Sequence, residues 1–170
     1  MYTINTNFIE EVHSSLKKQF GDAIYSFEIV GDMPQFTVQK EKVADILEYL
    51  FNSEELGFTF LTTLCGVHYP DQELAFAVVY HLHNLYKNQR IRIKAFAKAD
   101  DITFPTATKV FATANWMERE TFDFYGIIFE GHPNLKRILN MDDMDYFPMR
   151  KEYPLEDATR DDKDDKMFGR

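Results

Sequence analysis

Apolar residues recur at helical spacing in two early stretches of the chain. Phe8, Val12, Leu16 and Phe20 fall four apart, after Asn5 and before Gly21. That spacing predicts an amphipathic helix from Asn5 or Thr6 to Phe20, with the glycine as its stop. Val43, Ile46, Leu47, Leu50 and Phe51 form a second stripe, predicting a helix that ends near Asn52 to Gly57. Between the two, Ile24 to Val30 alternates loosely, and Phe36 and Val38 mark a partner strand across the turn Gly31-Asp32-Met33-Pro34. Then the period drops to two. Phe58 to Val67 reads as a strand, and Leu74, Phe76, Val78, Tyr80 and Leu82 give a long strand with one apolar face. Ile91, Ile93 and Ala95 supply its partner across a turn near Lys87-Asn88-Gln89. A third helix is expected from about Thr106 through Val110, Ala114 and Met117 to Tyr125, with Gly126 just past its end. The order predicts an α+β domain over residues 1–130, a mainly antiparallel sheet with helices on one face.

Beyond it the periodicity fails. Residues 131–155 carry Pro133, Pro148 and Pro154, mix charges, and sustain no helical or strand pattern. An irregular run of this length inside a compact domain is uncommon and is usually functional or disordered. Yet it contains Leu135, Ile138, Leu139, Met144, Tyr146, Phe147, Met149, Tyr153 and Leu155, more large apolar groups than a solvated tail holds. The segment therefore reads as an extended, irregular arm that lies across a partner. The alternative is an arm folded back on its own domain. Residues 156–170 are charged and aperiodic and are expected to be a mobile tail.

The chain has 170 residues and a net charge of −9. That balance argues against nucleic acid, whose phosphates are bound through Lys and Arg, and against docking on an anionic bilayer. Cys65 is the only cysteine, so this chain alone supplies no multi-cysteine iron–sulfur or zinc set. No apolar run approaches the length that spans a bilayer, and no leader pattern opens the sequence, so membrane contact is expected only through another protein. Glycine-rich phosphate loops and the G-x-S-x-G nucleophile turn are absent as well.

One constellation is specific. Glu118-Arg119-Glu120, Asp123-Phe124-Tyr125, His132 and Lys136-Arg137-Ile138 occur at fixed intervals, framed by Ala114-Asn115-Trp116, Tyr125-Gly126-Ile127 and Gly131-His132-Pro133-Asn134-Leu135. Pro148-Met149-Arg150-Lys151-Glu152-Tyr153-Pro154-Leu155 closes the region. Over residues 104–155 this resembles the 30-kDa (C) subunit of NADH-quinone oxidoreductase, respiratory complex I. Met149 and Glu152 stand where the family has Leu and Asp. The resemblance implies a cofactor-free subunit of the peripheral arm of a proton-translocating complex. FMN, iron–sulfur clusters and quinone would be held by partner subunits. It implies contact chiefly with the quinone-reducing D subunit, together with the B and I subunits, on the cytoplasmic side of a bacterial inner membrane. Some family members are fused to the D subunit; here a separate polypeptide is expected. Equivalent subunits occur in energy-converting membrane hydrogenases and ferredoxin-linked quinone reductases, and one chain does not reveal the electron donor.

The resemblance also makes Glu118, Arg119, Glu120, Asp123, His132, Lys136, Arg137, Arg150, Lys151 and Tyr153 candidate interface residues; none is expected to be catalytic. Arg119 and Asp123, four apart on a helix, can pair along its surface. Glu118 and Glu120 lie about 200° apart around that helix and cannot act together as a carboxylate pair. On composition alone the charges form a solvated helix face. His132 invites a metal or relay role but has no neighbouring ligand set, and reads as a structural histidine. Arg150 and Lys151, between prolines, suit acidic or carbonyl groups of a partner, or simple solubility.

Two rival readings remain. His81 and His83 share a strand face and could begin a metal site, with His68 or a carboxylate as third ligand. Arg90, Arg92 and Lys94 alternate along another strand and could bind an anion, or solubilise the sheet, or face an acidic neighbour.

Overall fold

A computed structural model of the protein describes residues 4–154. The tail expected over 156–170, and Leu155 at the end of the arm, lie outside the described residues. Helix α1 spans Thr6–Phe20 and buries Phe8, Ile9, Val12 and Leu16. Asn5 caps it, its side-chain oxygen accepting a hydrogen bond from the Phe8 amide at 3.2 Å, which satisfies one of the free N–H groups of the first turn. Helix α2, Val43–Asn52, buries Val43, Ile46, Leu47 and Leu50. Both stripes are those of the sequence pattern.

Five strands form the main sheet: β1 (Ile24–Val30), β2 (Met33–Val38), β3 (Phe60–His68), β4 (Phe76–Asn84) and β5 (Gln89–Ala97). Their order is β1-β2-β5-β4-β3. Every neighbouring pair is antiparallel except β2 with β5, which is parallel. A parallel pair needs a long crossover, and α2, β3 and β4 provide it. The α+β class with a mainly antiparallel sheet is thus the observed one, with one parallel ladder.

Register decides which side chains meet. Leu64, Tyr80, Ile93 and Phe36 lie side by side across four strands, and Gly66, Val78, Ala95 and Val38 form the next row. This face is buried beneath the helices. His13 of α1 stacks on Phe27 at 4.8 Å, and Phe8 on Phe58 at 5.9 Å. Gly66 lies directly beneath the third helix. A Cβ there would come within 2.8 Å of Tyr125 and 3.0 Å of Thr121, so the helix rests on bare strand backbone.

That third helix, α3, spans Ala114–Tyr125, starting eight residues later than the pattern predicts. Thr103–Pro105 instead forms β6, which pairs in parallel with β7 (Ile128–Glu130). Residues 106–113 turn, with the Thr106 amide bonded to the Glu130 carbonyl at 2.9 Å and the Phe111 amide to the Ala107 carbonyl at 2.9 Å. Glu118 explains the late start: its carboxylate takes the Ala107 amide and the Thr106 hydroxyl, holding that segment as a loop across the helix. Gly126 ends α3 in the left-handed region at φ 73.

Candidate functional site

The irregular arm, residues 131–154, lies against its own domain, chiefly along α3. Its anchor is Asp123. The Oδ2 atom accepts the amides of Ile138 (3.0 Å), Leu139 (2.7 Å) and Asn140 (2.9 Å). Oδ1 accepts from the Asn140 side chain at 3.1 Å and from Arg137 Nη1 at 2.8 Å. Three consecutive N–H groups aimed at one oxygen form a turn built around an anion. Burial pushes the Asp123 pKa up, but the Asn140 amide, the Arg137 guanidinium and the Leu139 and Ile138 amides outweigh it. The carboxyl is held well below the usual carboxylate range.

Arg137 directs its remaining donors within the chain. Nη2 donates to the Met144 carbonyl at 2.6 Å and the Tyr146 carbonyl at 2.9 Å, so one guanidinium gathers the arm onto itself while Nη1 holds it to Asp123 of α3. Its flat face lies over Phe147, 5.0 Å from the ring centre, and Arg150 lies 4.7 Å from the same ring. Arg150 Nε donates to the Tyr125 carbonyl at the end of α3 at 2.7 Å. Gly126 makes room for this: a Cβ there would stand 2.6 Å from both Arg150 and Phe147. Further out, the Lys151 amide donates to Nδ1 of His68, whose ring stacks on Phe76 at 4.5 Å.

Arg119 does not pair with Asp123 as its spacing suggests. It donates to the Lys136 carbonyl at 3.1 Å and the Arg137 carbonyl at 2.9 Å, and its guanidinium faces the Trp116 ring. Asp123 is already saturated by the arm, which leaves the i,i+4 pair nothing to gain. Glu118 is no solvated charge either. It is fully buried, with Thr106 Oγ1 at 2.6 Å on one oxygen and the Ala107 amide at 2.6 Å on the other. Burial, opposed by those two hydrogen bonds, pushes its pKa up to about 7. The Tyr80 hydroxyl, also fully buried, has no hydrogen-bond partner among the described residues; burial and then the Glu118 charge push its pKa far up.

His132 is structural in this chain. One ring nitrogen lies 3.1 Å from the Asn115 carbonyl and the other accepts the Asn134 amide at 3.0 Å, which assigns the proton to Nε2. Glu120, Lys136, Lys151 and Tyr153 point outward. So do Leu139, Met141 and Trp116, which are 65%, 67% and 59% exposed. Leu139 is among the apolar arm residues that the sequence marks for a partner; the outward placement of Met141 and Trp116 and the stacking of two guanidiniums on Phe147 have no such sign. The rival metal site does not form: His81 Nε2 accepts from Arg92 Nε at 2.8 Å, and His83 Nε2 meets Asn88 at 3.1 Å. Burial and then Arg92 lower the His81 pKa. Among the described residues no three His, Cys, Asp or Glu side chains gather to hold a metal.

Fold and site together define a domain that fixes an irregular arm with buried charge and turns several of its apolar side chains outward. That is the build of a component of a larger assembly. The family model for the respiratory-chain NADH dehydrogenase 30 Kd subunit matches residues 36–159, and the chain belongs to this family. The C subunit of NADH-quinone oxidoreductase from Methylobacterium sp. (strain 4-46) is 37% identical over 151 residues, covering 88% of this chain and 69% of that relative. A solved trypsin-resistant fragment of Nqo5 superposes with a TM-score of 0.64 at 29% identity, over 75% of this chain and 99% of the fragment. A chain of the membrane-bound sulfane sulfur reductase, an archaeal respiratory membrane complex, shares the fold, with a TM-score of 0.72 at 23% identity over 86% of this chain and 85% of that one. No helix among the described residues is long and apolar enough to cross a membrane.

Proposed function

We propose that this chain is a structural and assembly subunit of the peripheral arm of a proton-translocating NADH-quinone oxidoreductase, with no cofactor of its own. Electrons pass from NADH through FMN and iron–sulfur centres in other subunits to quinone. This chain supplies the surface on which they are held, chiefly against the D subunit, with the B and I subunits, on the cytoplasmic side of a bacterial membrane. The observation that carries the reading is the arm. Two of its arginines are turned inward, Arg137 onto Asp123 and Arg150 onto the Tyr125 carbonyl, and Arg119 of α3 binds its backbone, while Leu139, Met141 and neighbouring Trp116 remain outside. Apolar groups held rigidly in the open are the anchors of protein interfaces, because little ordering entropy is left to lose on docking. Glu120, Lys136, Lys151 and Tyr153, which also point outward, are the direct contacts of such an interface. Glu118, Arg119, Asp123, His132, Arg137 and Arg150 shape it from beneath.

The test is an affinity pull-down of the chain from its native membranes, with partners identified and NADH:quinone activity assayed. Recovery of the B, D and I subunits with activity is the expected result. Hydrogenase or ferredoxin-linked partners would keep the scaffold and change the enzyme; a chain recovered alone would end the proposal.

A further inference from the structure

The arm uses one side of the molecule, and the opposite face of the sheet carries chemistry it does not absorb. Across five strands Thr63, His81, Arg92, Gln35 and Glu28 lie in register, and beside them run Cys65, Val79, Lys94, Thr37 and Ser26. Arg92 sits at the centre. Its Nε donates to His81 Nε2 at 2.8 Å and its Nη1 to Gln35 at 3.1 Å; Gln35 in turn donates to Glu28 at 2.8 Å. Lys94 donates to the Tyr69 hydroxyl at 2.8 Å and lies over the Tyr69 and Phe96 rings. Arg90 is on the same strand and the same face.

Solvated sheet faces ordinarily set opposite charges across from one another. Here Arg92 and Lys94 face neutral neighbours. His81 uses its lone pair to accept from Arg92, so it holds the guanidinium in place without cancelling its charge. Glu28, the one carboxylate in the two rows, reaches Arg92 only through Gln35. No carboxylate pairs with Arg92 or Lys94 among the described residues. A chain of net charge −9 has thus set aside a cationic strip, and fixed its central arginine with two neutral hydrogen bonds. A planar guanidinium so oriented is built to meet a carboxylate.

Next to Lys94 the face runs into a cleft of about 590 Å³ lined by Tyr25, Thr37, Leu74 and Phe96, with Glu41 and Asp100 also around it and both of its lysines already ion-paired, Lys40 with Asp101 and Lys98 with Glu73. Its own acids make the cleft a poor seat for a carboxylate and leave it to an apolar side chain. The overall charge opposes an anionic bilayer.

We propose that this open sheet face is a second docking surface, taking an acidic segment of a neighbouring subunit. A carboxylate of the segment lies against Arg92 and Lys94, and an adjoining apolar residue enters the cleft. The inference rests on the subunit role proposed above and adds an interface that the arm does not make.

Cys65, the only cysteine of the chain, is exposed and in register with Val79 beside Lys94; because Glu120 of α3 also acts on its thiol, protection counts for this face only where it depends on Arg92 and Lys94. The experiment alkylates the complex purified from native membranes, and the full chain released from it, with a bulky maleimide, reading the mass of this chain. Alkylation at least about tenfold slower in the complex is expected, because a docked segment excludes the reagent. A paired Arg92→Glu, Lys94→Glu variant should lose that protection and leave the complex at lower salt, and Arg92→Lys, which keeps the charge without the planar fork, should lose part of it. Equal rates in the complex and the free chain would overturn the proposal, as would unchanged protection and salt resistance in the paired variant. Arg92-dependent binding of the free chain to phosphatidylglycerol vesicles would replace the protein partner by lipid and also overturn it. An intact complex with Cys65 fully reactive would sink this inference alone; recovery of no complex would sink the subunit role as well.

Discussion

At its C-terminal end α3 buries Asp123 among five donors, while five residues earlier it buries Glu118 against two. The two carboxyls share a helix and have no solvent exposure, yet one is a fixed anion and the other has its pKa near 7. Burial raises both; at Asp123 five donors, one of them charged, outweigh it, and at Glu118 two neutral donors do not. Asp123 organises the arm because three amides and a guanidinium converge on its charge. Glu118, with two neutral donors, holds the 106–108 loop in either protonation state, and burial penalises its charge at high pH.

Breaking the Asp123 end should cost most. Asp123→Ala strands the buried Arg137 guanidinium and leaves the Ile138, Leu139 and Asn140 amides without their acceptor. A loss of about 3–5 kcal/mol is expected from uncompensating such a pair. Urea unfolding of the variant, with limited proteolysis at residues 136–147, measures it.

The Glu118 end responds to pH. Because its folded pKa is raised above its ordinary 4.5, the protein is favoured below that value and loses stability as pH rises through about 7. The full loss is at most about 3 kcal/mol. Glu118→Gln can accept from the Ala107 amide and donate to Thr106, so its unfolding free energy should be flatter between pH 5 and 8. Asp123, depressed, acts in the opposite sense: its stabilisation is present above the ordinary carboxylate range and fades only on strong acidification. Parent and variant melting curves across that range separate the two ends.

The smallest effect is at Arg119, which lies between them. Arg119→Ala removes two hydrogen bonds to the arm's carbonyls and the contact with Trp116. About 1–2 kcal/mol is expected by chemical denaturation, with Asp123 still holding its turn.

How much of this was legible beforehand varies with distance along the chain. Helices α1 and α2 follow from local periodicity and from Asn5 and Gly21, and β4 and β5 from strict alternation. The parallel pairing of β2 with β5 and the three-residue strands β6 and β7 depend on partners far away, and no local pattern announces them. The start of α3 was misplaced for the same reason, since a buried acid eleven residues on keeps Ala107 out of the helix. The resemblance found the region of the site, yet helix spacing paired Arg119 with the wrong group. One local signal was there: Glu118 stands four after Ala114 and three before Thr121, on the buried stripe of α3, where a solvated glutamate does not belong. The turn around Asp123 had no such sign, because its donors lie 14 to 17 residues away.

The central claim is that the arm is already fixed by Asp123 before any partner arrives. Hydrogen exchange at the Ile138, Leu139 and Asn140 amides of the free full-length chain tests it most directly. The account predicts slow exchange there, lost in Asp123→Ala while α1 and β4 stay protected. Exchange at the rate of an open loop in the parent chain would contradict it, and would mean the arm takes its shape only on the partner.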